Sequence, residues 1–254
     1  MKWALVVGAS GDIGEKIACD LAAAGWSLYL HANIGIEKVN KLIEKLSLEY
    51  QKQDFLRVQA DFNNLMQVED IVKQLFALDA LIFAQGTTHY GLFSQSTYAN
   101  TAEIMQMQVL NPLRLIQLLE NKLIKNSYGR IIFLGSVYGG SGSAMEVAYS
   151  TAKGALSAFA RAYSKEVASL GITVNVIAPG AVDTKMNSLF SNDQKAEIDE
   201  QIPMGRFAAP DEISYWVKAV LDEHAKYLTG QTIYVTGGWL KYCLLYTSDA
   251  ADDT

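Results

Sequence analysis

Tyr149 and Lys153 stand four residues apart in Tyr149-Ser-Thr-Ala-Lys153, and of the 13 tyrosines in the chain only Tyr149 has a lysine at that spacing. On a helix, positions four apart share a face. An ammonium beside a phenol favours the phenolate and lowers its pKa from an ordinary value of about 10. A tyrosine tuned in this way can protonate a carbonyl oxygen as a hydride reaches the carbon. Ser136, thirteen residues before Tyr149, can give the same oxygen a second hydrogen bond as an oxyanion donor. The plainer alternative is a solvated helix pair and a strand-end serine. A second group lies near the start, in Gly8-Ala-Ser10-Gly11-Asp12-Ile13-Gly14. Glycines between a strand and a helix let the backbone approach a pyrophosphate, and the helix N-terminus offers free N–H groups and positive potential. Here the plainer alternative is a tight turn without a ligand.

These groups need elements to place them. Trp3–Val7, Ser27–His31, Phe55–Ala60, Ala80–Ala84, Arg130–Gly135, Thr173–Ala178 and Thr232–Val235 are short, almost continuously apolar and rich in β-branched residues. Parallel strands buried on both faces have that composition. Between them, apolar residues recur at helical spacing. Ile13, Ile17 and Leu21 run up to Gly25, followed by Ile36–Tyr50, Glu69–Leu78, Glu103–Lys125, Tyr149–Leu170 and Asp211–Asp222. The alternation predicts one α/β domain over residues 1–242: a Rossmann-type, doubly wound parallel sheet with helices on both faces. Tyr149 and Lys153 then open a helix, Ser136 ends the fifth strand, and the glycine turn follows the first. The polar stretch Asp183–Pro210 reads as a lid over the site or as a helical insertion that only packs.

Composition narrows the function classes. Of the 254 residues half are hydrophobic and 19% charged, which excludes disorder as the main state. Lys and Arg number 21 against 27 Asp and Glu and form no basic run, so nucleic acid is not an expected partner. No apolar run reaches the roughly eighteen residues needed to span a bilayer. The apolar stretch before Gly8 is too short for a signal segment. Cys19 and Cys243 offer neither a disulfide framework nor a zinc spacing, and no metal is expected. The expected location is cytoplasmic. Residues 243–254, Cys-Leu-Leu-Tyr-Thr-Ser-Asp-Ala-Ala-Asp-Asp-Thr, match the translation of a transposase sequencing adapter at nearly every codon and read as an artefact. Without that segment the net charge changes from −6 to −3, because it carries Asp249, Asp252 and Asp253 and no base.

With these motifs in hand, the chain resembles single-domain short-chain dehydrogenases/reductases from Met1 to about Trp239. The resemblance rests on the Gly8–Gly14 turn, Ser136, Tyr149 with Lys153, Pro179-Gly180-Ala-Val182-Asp-Thr184, and Val235-Thr-Gly-Gly-Trp239. It implies that Ser136, Tyr149 and Lys153 are catalytic. It implies a nicotinamide coenzyme held by Gly8, Ser10, Gly11, Asp12, Ile13, Gly14, Asp61, Phe62, Ala84, Gly86, Tyr149, Lys153, Pro179, Gly180, Val182 and Thr184, with Val182 and Thr184 at the carboxamide. Gly171–Gly180 and Leu228–Gly238 resemble bacterial 3-oxoacyl-[acyl-carrier-protein] reductases, which implies a ketone substrate carried by a protein, and Lys122, Lys125 and Arg130 as docking residues or a solvated face. Family members also meet copies of themselves through the two helices Glu103–Lys125 and Tyr149–Leu170, which implies a homodimer or homotetramer.

The departures are specific. The family glycine at position 12 is Asp12, a carboxylate near the pyrophosphate or a cap for the first helix. Phe83-Ala84-Gln85-Gly86 stands in place of Asn-Asn-Ala-Gly, and Gln108 at the position of the catalytic asparagine; Asn111 comes three residues too late. After the second strand, His31-Ala-Asn33 carries no carboxylate to repel a 2′-phosphate, so NADPH is favoured over NADH, with His31 or Asn33 as donors. A protonated His31 would make that preference shrink from pH 6 to 8. Leu28–Asn33, Gly86–Phe93 and Glu146–Gly154 resemble elongation factor P 5-aminopentanone reductases. That likeness implies Glu146 and His89 as substrate residues. Glu146 would pair with a cationic amine or, alternatively, serve only as a helix N-terminal charge. A rival of another class is a dinucleotide sensor without turnover, supported by Asp12 and Gln108.

Overall fold

The computed structural model describes residues 1–185 and 192–240. Seven strands form one parallel sheet in the order β3-β2-β1-β4-β5-β6-β7. They are β1 Lys2–Val7, β2 Trp26–Ala32, β3 Phe55–Gln59, β4 Ala80–Phe83, β5 Arg130–Leu134, β6 Thr173–Pro179 and β7 Thr232–Val235. The helices are α1 Asp12–Ala23, α2 Ile36–Glu49, α3 Leu65–Gln74, α4 Tyr98–Met105, α5 Asn111–Ile124, α6 Tyr138–Ser141, α7 Val147–Val167, α8 Asn192–Gln201 and α9 Pro210–Val220. The expected doubly wound α/β sheet is the one observed, and the segment Cys243–Thr254 lies outside the described residues.

Successive side chains of a strand point to opposite faces. Trp3, Leu5 and Val7 therefore pack with Leu115, Leu119 and Leu156 of α5 and α7. Ala4 and Val6 pack on the other face with Ile17, Leu21, Val39 and Val217 of α1, α2 and α9. Every residue of β2, β4, β5 and β6 is buried, which explains their unbroken apolar runs. Each Leu or Val so enclosed contributes roughly 1.5–3 kcal/mol by burial. Among the described residues no helix is long and apolar enough to cross a membrane.

Two elements and one side chain differ from the sequence expectation for physical reasons. Asn64 accepts the Gln67 N–H at 3.3 Å and starts α3 at Leu65, ahead of the expected Glu69. The expected helix Glu103–Lys125 is split into α4, a π turn at Gln106–Leu110, and α5. Pro112 lacks the N–H that would bond the Gln108 carbonyl four residues back, so the helix widens there. Arg130, read as a surface docking candidate, is buried at the start of β5, with its guanidinium 4.0 Å from the centre of the Tyr128 ring.

The strand order reverses at β1, whose neighbours are β2 and β4. Open parallel sheets bind ligands in the crevice beyond the strand ends at such a switch point. The Gly8–Gly14 turn leaves β1 there, and Ala84–Gly86 leaves β4 beside it.

Candidate active site

The glycine turn is built by close packing. A Cβ on Gly8 would lie 2.7 Å from the Gln85 nitrogen, and one on Gly14 only 2.2 Å from the Gly8 carbonyl oxygen. Gly8 also has φ +84°, a conformation that favours glycine. The turn closes through Gly11 N–H to Gly8 C=O, and α1 starts with Glu15 N–H to Gly11 C=O. Among the described residues, the N–H groups of Asp12, Ile13 and Gly14 donate to no protein acceptor. Free donors at a helix N-terminus suit an anion, and the turn fits the pyrophosphate of a dinucleotide.

His31 is where the structure corrects the sequence reading. It lies inside β2, 3% exposed. Its Nδ1 accepts the Gly8 N–H at 3.2 Å and its Nε2 donates to the Ala60 carbonyl at 3.0 Å. Burial pushes its pKa down to about 4. A neutral, enclosed ring with both nitrogens engaged cannot donate to a phosphate, nor impose a pH-dependent coenzyme preference between 6 and 8. It pegs the glycine turn to the sheet. Phe62 is likewise buried, its ring against His31 and Phe83 and its carbonyl accepting from Asn111. Asp61 accepts the Asn63 N–H in the turn after β3, and Asn33 is exposed after β2.

Asp12 does not cap α1: the N-cap is Gly11, without a side-chain bond. Its Oδ2 instead accepts the backbone N–H of Lys185 at 2.7 Å, and its Oδ1 accepts from Lys38 Nζ at 3.3 Å. Lys38 also donates to the Ser10 carbonyl at 2.9 Å and pairs with Glu15 at 2.8 Å. Sequence reasoning missed Lys38. It lies in the first turn of α2, and its contacts with Ser10, Asp12 and Glu15 are with a distant segment.

Across the crevice, Ser136 leaves β5 and Tyr149 and Lys153 lie on the first turns of α7. Tyr149 and Ser136 line the same cleft, and Ser136 lies close enough to the phenol to ease its ionisation. Lys153 is enclosed, its Nζ 2.8 Å from the Leu134 carbonyl oxygen and 5.4 Å from the centre of the Tyr149 ring. The expected depression of the tyrosine pKa is not what this geometry gives. Burial pushes Tyr149 up to about 12, Ser136 opposes, and Glu146 and Tyr138 add to the rise. Burial pushes Lys153 down to about 8. Near neutral pH the tyrosine keeps its proton, as an acid must before it acts.

Gln108 sits in the π turn, buried, its Nε2 donating to the Thr87 carbonyl at 2.6 Å and its Oε1 without a partner. A Cβ on Gly86 would lie 3.7 Å from Lys153 Nζ and 3.8 Å from Gln108 Oε1, so Gly86 lies between them with no side chain to fill the gap. Asn111 points away and ties α5 to Phe62.

A cleft of about 370 Å³ opens beside Ser136 and Tyr149. Ser136, Tyr149, Gly180, Val182 and Thr184 line it together with Glu146. Glu146 accepts from the Thr88 hydroxyl at 2.8 Å and from the Ser143 hydroxyl at 3.4 Å. Tyr90, Tyr138, Phe207 and Trp239 give it an aromatic lining that sequence reasoning did not name. His89 lies outside it, in a smaller neighbouring cavity, paired with Glu103 at 3.1 Å.

The family model described as enoyl-(acyl carrier protein) reductase matches residues 8–240. The chain belongs to the short-chain dehydrogenase/reductase family. An oxidoreductase of Bacillus subtilis named as uncharacterized, YmfI, is 39% identical over 239 residues, spanning 94% of this chain and 98% of its own. The 3-oxoacyl-[acyl-carrier-protein] reductase FabG of Escherichia coli is 33% identical, over 93% of this chain and 96% of its own. Among solved structures, a blue fluorescent protein from a metagenomic library in complex with NADPH superposes with a TM-score of 0.88 at 27% identity, covering 94% and 98% of the two chains. As a short-chain dehydrogenase/reductase, this chain is a nicotinamide-dinucleotide-dependent oxidoreductase.

Proposed function

We propose that the chain reduces a ketone with NADPH. The observation that carries this reading is that Ser136 and Tyr149 line one cleft, with Lys153 enclosed behind Tyr149 and Ile13 of the glycine turn on the same lining. When bound, the reduced coenzyme supplies the hydride. Tyr149 then gives its phenolic proton to the ketone oxygen, while the Ser136 hydroxyl orients that oxygen. Lys153 steadies the negative charge left on the tyrosine oxygen, and its pKa of about 8 leaves it protonated near neutrality. Preference for the 2′-phosphorylated coenzyme is supported by a loop after β2 without a carboxylate. A dinucleotide sensor would have no use for a cleft-lining serine and tyrosine backed by an enclosed lysine.

A narrower reading is favoured by Glu146. A carboxylate held by two hydroxyls and flanked by Tyr90, Tyr138 and Trp239 suits a substrate with a cationic amine, through charge and cation–π attraction. Ketone-modified elongation factor P has that chemistry; a 3-oxoacyl thioester does not. Purified protein given NADPH and each substrate in turn separates the readings. Faster turnover of the cationic ketone is expected. Preference for the thioester would leave the reductase reading standing and remove the narrower one. Coenzyme binding with no turnover of either would favour the sensor.

A further inference from the structure

The segment that leaves β6, Gly180–Lys185, is fastened on one side by a short parallel bridge. Val182 pairs with Ala208, the Asp183 N–H donates to the Ala208 carbonyl at 2.8 Å, and the Ala208 N–H donates to the Ala181 carbonyl at 2.9 Å. On its other side the segment faces the glycine turn, 173 residues away in sequence. There the contact that ties it down is Asp12 Oδ2 with the Lys185 N–H, at 2.7 Å. Glycine, which the family resemblance puts at position 12, has no side chain with which to make it.

We infer that Asp12 is a positioning residue: its carboxylate straps Gly180–Lys185 to the glycine turn and so presets the wall that receives the nicotinamide half of the coenzyme. The inference rests on the coenzyme reading above. The strap is charge-assisted, since a carboxylate accepting an N–H makes one of the stronger hydrogen bonds available to a side chain. Its other oxygen is occupied by Lys38, which is itself fixed to Ser10 and Glu15. The carboxylate therefore cannot swing freely, and the neighbouring ammonium offsets its charge beside a site for phosphates. Burial pushes the Asp12 carboxyl up, but the Lys185 N–H and then Lys38 outweigh it and hold it below the usual carboxylate range. Val182, in the Ala208 bridge, and Thr184, between the bridge and the strap, both line the cleft.

A strap of this kind acts on one half of the coenzyme only, and that separates it from a general role in folding. The full chain, wild type and with Asp12→Gly or Asp12→Asn, is titrated with NADPH and with adenosine 2′,5′-bisphosphate, which lacks the nicotinamide. Binding is followed by protein and nicotinamide fluorescence. Asp12→Gly should weaken NADPH by about tenfold, the worth of one charge-assisted bond, and should not weaken the bisphosphate. Asp12→Asn keeps an oxygen that can accept the Lys185 N–H and should stay near wild type with both. Amide hydrogen exchange at Lys185 in the free protein should speed up in Asp12→Gly and not in Asp12→Asn. The inference is overturned if Asp12→Gly binds NADPH as tightly as wild type or tighter, if it loses the bisphosphate in equal measure, or if Asp12→Asn behaves like glycine. Wild-type protein that binds neither compound would instead overturn the coenzyme reading, and the exchange rates would still report whether the strap exists.

Discussion

The two walls of the crevice are built to opposite rules. On the glycine-turn side the polar side chains have partners within the protein: both nitrogens of His31, both oxygens of Asp12, and the Lys38 ammonium. On the catalytic side two ionisable groups and two amide oxygens are enclosed without full compensation. Burial drives Tyr149 and Lys153 toward their neutral forms, and the Oε1 atoms of Gln85 and Gln108 have no partner. An unpartnered buried polar group costs roughly 1–3 kcal/mol. Such a cost is tolerable where the group serves chemistry and wasteful where it only holds a turn. The first wall thus belongs to stability and coenzyme fit, the second to proton transfer, and substitutions on each should fail in different ways.

The largest effect belongs to Tyr149→Phe. It removes the proton donor and little volume, so turnover should fall by at least about 100-fold, the low end for general acid catalysis. Coenzyme affinity should stay within a few-fold of wild type, because the glycine turn is untouched. Steady-state kinetics with a coenzyme titration on the same sample check both halves. Activity within about tenfold of wild type, only about 1.4 kcal/mol of barrier, would reject Tyr149 as the acid.

The other wall should break through stability. The His31 pKa is about 4 in the fold against an ordinary 6.5. Between those values the unfolded chain binds more protons, so stability rises with pH over that window and falls as pH drops from 6.5 to 4. The full difference is about 3 kcal/mol, reached below pH 4. Protonation also puts a hydrogen on Nδ1, facing the Gly8 N–H it must accept. His31→Gln should flatten this part of the pH dependence in denaturant titrations. An unchanged slope would mean that another group carries the acid sensitivity.

His31 also shows where legibility in the sequence ended. Strand runs and helix periods located every strand to within one or two residues, because apolar burial on both faces leaves few alternatives. Ser136, Tyr149, Lys153 and the glycine turn were readable because their spacing is local. His31 was not, since a ring at a strand end reads alike whether it faces solvent or the neighbouring strand. The π turn was also hidden: Pro112 was visible, but not that the chain would widen before it rather than end its helix. Lys38, the Lys185 strap and the aromatic lining depend on contacts between distant segments, which no local pattern records. Glu146 fell between these cases, its position legible and its hydroxyl partners not.

The smallest and most discriminating test is therefore Glu146→Gln. The amide can keep the Thr88 and Ser143 hydroxyl bonds, so the cleft should keep its shape while losing one negative charge. With a cationic ketone, KM should rise by about tenfold, as expected for one partly solvated charge-assisted contact. With a neutral ketone it should stay unchanged, and kcat should move little with either. A second readout comes from Tyr149, whose pKa the Glu146 carboxylate helps to raise. Without that charge the tyrosine ionises more easily, and its own ionisation, read by ultraviolet difference titration against the Tyr149→Phe protein, should move to lower pH. A KM that rises equally for both ketones would mean that Glu146 only shapes the cleft. A Tyr149 ionisation that stays in place would mean that its charge does not reach the Tyr149 oxygen, even though the two side chains line the same cleft.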